Sequence, residues 1–270
     1  MLSKSITLLM LLCFSSIAAS AQDCNPPAIT ANSKIYNIFS PEQEMILGEL
    51  DYQRMSGDSR FIHDEKLLAY LRAIGAKLVR HLPPTGLKFQ FFIIDMPTAN
   101  AFNTPGGYVF VSRKLISFTK TEDELAGVMA HELGHATVHH AARDMSDWFK
   151  KILNVTQLAD RKDVTEKYNL FIERIRTKNV PVSEDHGNDQ QLEADRIGLF
   201  AMVAAGYDPN AFTDFFERLV EEKASSGNWL QTSSEVRVRP KSVCAKWPVS
   251  PQNFRRHVVT NAARTRQKSI

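Results

Sequence analysis

Beyond its first two dozen residues the chain contains no apolar stretch near the roughly 20 residues needed to cross a bilayer, so the segment that follows is expected to be soluble. Internal repeats and low-complexity tracts are also missing, which argues against solenoid or fibrous architectures. Charge of either sign is nearly balanced, with 33 Lys and Arg against 30 Asp and Glu for a net of +3. Cysteine is scarce, with three residues in all, and none stands in a lipid-attachment context directly after a suitable small residue. What remains is ordinary globular composition: 270 residues with 43% hydrophobic content suit one large domain with an ample core.

The first residues are of a different kind. Lys4 precedes an apolar run from Ile6 to Phe14, then small residues ending in Ala19-Ser20-Ala21, which reads as a secretory signal cleaved after Ala21. About nine apolar residues are too few for a retained anchor. Cleavage removes Cys13 and leaves Cys24 and Cys244 in a compartment where disulfides persist, so a Cys24–Cys244 bridge is expected, with two free thiols or an intermolecular pairing as alternatives. At the other end, residues 231–270 hold nine Lys or Arg against the single acid Glu235. Such a segment favours anionic envelope surfaces or is simply solvated. Nucleic acid is not an expected partner of an exported protein.

The chemistry concentrates in His131-Glu132-Leu133-Gly134-His135. Two histidines four apart on a helix project to one side and can share a metal, and the glutamate between them is then the natural general base. Local context supports a helix. Thr121 can cap it, Glu124 can complete a capping box, and Glu122, Asp123 and Glu124 favour the positive end of the dipole. Ala126, Gly127, Ala130 and Gly134 are small enough to let other elements approach closely. A buried structural helix is the competing reading, but it would have to accommodate Glu132, which is costly to bury without a partner.

Around that helix, Ser40-Pro41-Glu42-Gln43 opens a short helix, and Leu67 to Val79 recur at helical spacing over about residues 64–82. Leu87 to Ile94 alternates as a strand, Asn103 to Gly107 breaks the chain, and Tyr108 to Val111 resumes as a second strand. Helical spacing returns from His140 to about Lys178, with an interruption between Asn154 and Asp163. Residues 179–188 read as a loop. A further helix spans about residues 189–205, ending at Gly206 before Pro209 opens the next.

Together these residues resemble the zinc metallopeptidases of family forty-eight, a group that includes membrane-embedded and periplasmic branches. The likeness runs over about residues 46–219 and rests on Asn100-Ala101-Phe102 with Pro105-Gly106-Gly107-Tyr108-Val109-Phe110-Val111, on His131 to His135 with His139-His140, on Glu193-Ala194-Asp195-Arg196-Ile197-Gly198, and on Gly206-Tyr207-Asp208-Pro209. The resemblance implies an α+β, mostly helical gluzincin fold with a small antiparallel-type sheet. It also implies a metallopeptidase domain over residues 22–230, one zinc ion per chain held by His131 and His135, and Glu132 as the catalytic base. Asp195 would orient a ligand histidine. Tyr108, Val109, Phe110 and Val111 would form the strand that holds an extended polypeptide by main-chain hydrogen bonds, a sequence-tolerant mode suited to unfolded or misassembled substrates.

The chain departs from the family pattern where a glutamate four residues before the Asp of the Ala-Asp pair usually supplies the third ligand, since Gln191 stands there. Glu193 lies off the face shared by 191 and 195 and cannot simply substitute. A neutral amide oxygen should hold zinc more weakly. Where periplasmic relatives often carry Thr-His-Pro, this chain reads Thr232-Ser233-Ser234, leaving His186 and His257 as compensating candidates. Two functions therefore stand: an exported, periplasmic zinc metalloendopeptidase of envelope protein quality control, attenuated by Gln191, or a degenerate, non-catalytic peptidase-like module that binds proteins.

Overall fold

Ser40 starts the first helix, α1 (Pro41–Asp58), through a reciprocal cap in which its hydroxyl accepts from the Gln43 amide and the Gln43 side-chain oxygen accepts from the Ser40 amide. The computed structural model describes residues 37–58, 60–178 and 188–226. At 18 residues α1 is longer than the short helix expected, because tertiary contacts sustain it. Leu47 is buried, and Asp51 accepts a hydrogen bond from the Tyr168 hydroxyl. The second helix, α2 (Glu65–Val79), is capped by Asp64, which accepts from the amides of Lys66 and Leu67, and it buries Leu68, Leu71, Ile74 and Leu78 as its spacing predicts.

The sheet has three strands, β1 (Gln90–Ile94), β2 (Ala101–Thr104) and β3 (Tyr108–Ser112), in the order β1-β3-β2. It is mixed rather than wholly antiparallel: β1 pairs with β3 in parallel, and only β2 and β3 form an antiparallel pair. β2 was hidden in the sequence by the Pro-Gly-Gly turn that follows it. That turn, Pro105–Gly107, lies against α1, where a Cβ on Gly106 would fall 2.6 Å from the Glu44 carbonyl oxygen. Gly106 also has φ of 80°, which favours glycine on backbone grounds alone.

This topology corrects one expectation about substrate binding. β3 is central and fully buried, with β1 on one side and β2 on the other, so Tyr108, Val109, Phe110 and Val111 have no free edge for an added peptide. Among the described residues β2 is an edge strand of this sheet, and its Asn103 reaches Glu132 of the pentad.

After the short helix α3 (Arg113–Phe118) comes α4 (Glu122–Thr137), in which every residue from Glu124 to Thr137 is buried. Thr121 caps it as expected, accepting from the Glu124 amide at 3.2 Å, but the Glu124 carboxylate reaches back to the Lys120 amide instead of that of Thr121. Both Glu124 oxygens also accept from Arg218, at 2.6 and 2.9 Å, which ties α4 to the last helix, α8 (Pro209–Ser226).

The chain then forms α5 (His140–Trp148), a wide π-type turn (Phe149–Leu153), α6 (Arg161–Lys178) and α7 (Asn188–Ala204). α4 belongs to one apolar cluster with α2, the sheet, α7 and α8, and a second cluster joins α1, α5 and α6. α7 crosses α4 at very close range: a Cβ on Gly134 would sit 2.2 Å from the Ala194 carbonyl oxygen, and one on Gly198 would sit 2.4 Å from that of Ala130. Among the described residues no helix is long and apolar enough to cross a membrane. The signal segment 1–21, Cys24, Cys244, His186, His257, Thr232 to Ser234, the expected loop up to residue 187 and the basic segment 231–270 lie outside the described residues.

Candidate metal centre

Because α4 is buried on all sides, the polar groups it carries must find partners within the protein. His131 Nδ1 lies 2.8 Å from Asp195 Oδ1, with both side chains almost wholly enclosed. Asp195 only accepts when ionised, so His131 donates from Nδ1 and its Nε2 is left as an acceptor. His135 Nδ1 is 2.9 Å from Nδ1 of His140; with His140 as the acceptor there, Nε2 of His135 is likewise left as an acceptor. The two Nε2 atoms then face each other across 3.1 Å, and Gln191 Oε1 stands 3.4 Å from Nε2 of His135.

Two ring lone pairs and an amide oxygen directed at one point repel one another unless a cation or a proton lies between them. In a tetrahedral zinc site, ligand nitrogens at about 2.0–2.1 Å from the metal are about 3.3 Å apart, so the observed separations fit a shared ion. The residues present therefore suit zinc, with His131, His135 and Gln191 as donors. Among the described residues no group of three or more His, Cys, Asp or Glu could hold a metal, since the third donor here is an amide.

Electrostatics agree with this arrangement. Burial alone would lower the pKa of His131, but the hydrogen bond and charge of Asp195, helped by Glu132 and Gln191, outweigh it and raise the value above that of an ordinary imidazole. A proton on Nε2 thus competes with a metal for the same lone pair. Asp195 Oδ2 is buried without a hydrogen-bond partner.

Glu132 is nearly buried and accepts from Asn103 Nδ2 at 3.2 Å. Asn103 lies on β2, so the edge strand delivers a side chain directly to the glutamate of the pentad. Its Oδ1 is buried with no hydrogen-bond partner. The sequence pattern places Asn103 in a chain break and marks no role for it; its place two residues before the Pro-Gly-Gly turn, on the side of β2 opposite Phe102, is the signal that points to it.

The expected site residues thus divide clearly. His131, Glu132, His135, Gln191 and Asp195 converge. Tyr108 to Val111 form the central strand behind β2. Glu193 does lie away from the Nε2 pair, as expected, yet it does not leave the site: its carboxylate is 3.2 Å from Nε2 of His140.

The profile of peptidase family M48 matches residues 65–244, two-thirds of the chain. The chain belongs to this family. Within family M48 it is similar to the beta-barrel assembly-enhancing protease of Escherichia coli, 32% identical over 188 residues, covering 67% of this chain and 38% of that protein. The protein of the same name from Yersinia pestis is 30% identical over 210 residues, 75% of this chain and 42% of the relative. A mitochondrial metalloendopeptidase, OMA1 of Schizosaccharomyces pombe, is 27% identical over 217 residues, 77% of this chain and 63% of the relative. The chain spans about two-fifths of the length of the bacterial relatives it matches.

Proposed function

We propose that this protein is a zinc-dependent metalloendopeptidase that cuts unfolded or misassembled polypeptides in the cell envelope after export. The observation that carries this reading is the convergence of His131, His135 and Gln191 on one point, with Glu132 held by Asn103 on the adjacent edge strand. The named relatives add support, two being beta-barrel assembly-enhancing proteases and a third a metalloendopeptidase.

His131, His135 and Gln191 would hold the metal. Zinc, when bound, supplies Lewis acidity that polarises a peptide carbonyl and lowers the pKa of water. Glu132 takes the proton of the attacking water and later delivers it to the leaving amine. Asn103 donates to Glu132 Oε2, fixing the carboxylate. An extended peptide laid along β2 is bound by main-chain hydrogen bonds and needs no particular sequence, which suits unfolded substrates. The periplasm is the proposed compartment, and residues 231–270 are proposed to favour anionic surfaces there; nucleic acid has no part.

Gln191 favours a second reading, a peptidase-like module that binds polypeptides without cutting, because an uncharged ligand holds zinc less firmly than a carboxylate. Two substitutions separate the readings. Glu132→Gln should abolish cleavage of casein while leaving fold and zinc content intact; undiminished cleavage rules out this base. Gln191→Glu should raise zinc affinity and proteolysis together, and no gain in either would mean that Gln191 does not limit the site.

A further inference from the structure

Resting on the zinc reading above, we infer that His140 and Glu193 form a relay that positions the metal ligand His135, as Asp195 positions His131. Neither residue lies at the metal point. His140 Nδ1 is 2.9 Å from His135 Nδ1, and His140 Nε2 is 3.2 Å from a Glu193 carboxylate oxygen.

The hydrogens along this chain follow from one requirement. For His135 to offer Nε2 to a metal, its ring hydrogen must be on Nδ1, where it is donated to Nδ1 of His140. That makes His140 Nδ1 the acceptor and puts the His140 hydrogen on Nε2, from which it is donated to Glu193. A carboxylate at the end of the chain only accepts, so it selects this sequence of tautomers over the reverse one, which would cap Nε2 of His135 with hydrogen. Removing Glu193 removes the preference; removing His140 takes away the Nδ1 acceptor that faces His135.

The local fold is built to hold this arrangement. His140 is fully enclosed and Glu193 is 18% exposed, so the relay runs from the interior to the rim of α7. His140 returns to His135 only because His139, between α4 and α5, adopts a left-handed conformation (φ 59°, ψ 34°), which is uncommon for a residue with a side chain. The buried Glu44 of α1 secures it by a 2.9 Å contact with His139 Nδ1. Gln191, Glu193 and Asp195 therefore give α7 one group at the metal point and a support for each histidine.

The test is zinc competition against a chromophoric chelator, with 15N spectra of the histidine rings, on purified wild-type protein, His140→Phe, Glu193→Ala and the double variant. Outer partners of metal-bound histidines typically change affinity by about 10–100-fold. His140→Phe should weaken zinc by about tenfold or more and Glu193→Ala by severalfold, with Glu193→Ala adding nothing once His140 is Phe. In metal-free wild-type protein the ring spectra should show hydrogen on Nδ1 of His135, and in metal-free Glu193→Ala a mixture of tautomers. A Glu193→Ala effect of equal size in both backgrounds, or hydrogen on Nε2 of His135 in the wild type, overturns the relay. If the wild type takes up no zinc, the metallopeptidase reading fails, and spectra of the metal-free rings still decide the relay. Glu193→Ala, at the rim, keeps the inference testable if His140→Phe does not fold.

Discussion

Placing a methyl group at Gly134 tests how closely the fold and the metal point depend on each other. Gly134 is interior to α4, so replacement by Ala should favour the helix by about 0.5–1 kcal/mol. Against that, the new Cβ would lie 2.2 Å from the Ala194 oxygen and 2.8 and 2.9 Å from the Ala194 carbonyl carbon and Cα, all backbone atoms of α7 that cannot turn aside. Ordinary contact requires α4 and α7 to separate by about 1 Å, and overpacking of this kind costs about 1–3 kcal/mol, here the upper end because the obstacle is main chain. The expected net loss is about 2 kcal/mol, a fall in Tm of about 4–8 °C for a domain of this size. Zinc affinity should fall as well, because Gln191 and Asp195 ride on the displaced helix. Gly57→Ala is the matched control: nothing lies within 4 Å of its Cβ position, so the same change should be neutral or stabilising by about 0.5 kcal/mol. Thermal unfolding and chelator competition on both variants decide the matter. A Gly134→Ala protein that melts at or above wild type refutes the close approach of α4 and α7.

Glu124 gives a pH prediction. Desolvation alone would raise its pKa, but hydrogen bonds from Arg218 and the Lys120 amide outweigh that and lower it below the ordinary 4.5. A lowered folded pKa means stability that is present above the unfolded pKa and lost as pH falls through the folded one, so Glu124→Gln should cost about 1.5–3 kcal/mol at pH 7 and progressively less in acid. A gap in denaturant stability that does not change with pH would contradict this. Asn103→Ala should lower kcat/KM on an unfolded substrate by about tenfold or more, the worth of a hydrogen bond to a charged group, while zinc affinity stays the same. Unchanged kcat/KM would remove Asn103 from the reaction.

The centre of this site was legible because its signals are local. Helical spacing joins His131 to His135 and Gln191 to Asp195, and capping residues bound α2 and α4. The edge strand was not legible, since β2 is only four residues long and ends in a Pro-Gly-Gly turn, and strand order depends on long-range pairing that no local pattern encodes. Choosing Tyr108 to Val111 as the substrate strand recognised the sheet but not its order. The role inferred for Glu193 was hidden for a related reason: helical geometry correctly turned it away from Gln191, but its partner His140 reaches it only through the left-handed turn at His139.

The most direct test of the account is zinc stoichiometry and affinity of the purified protein, measured beside His131→Ala. One zinc ion per chain, lost in the variant, is the predicted result. No zinc at micromolar metal, or equal uptake by both proteins, would contradict a metal centre at His131, His135 and Gln191.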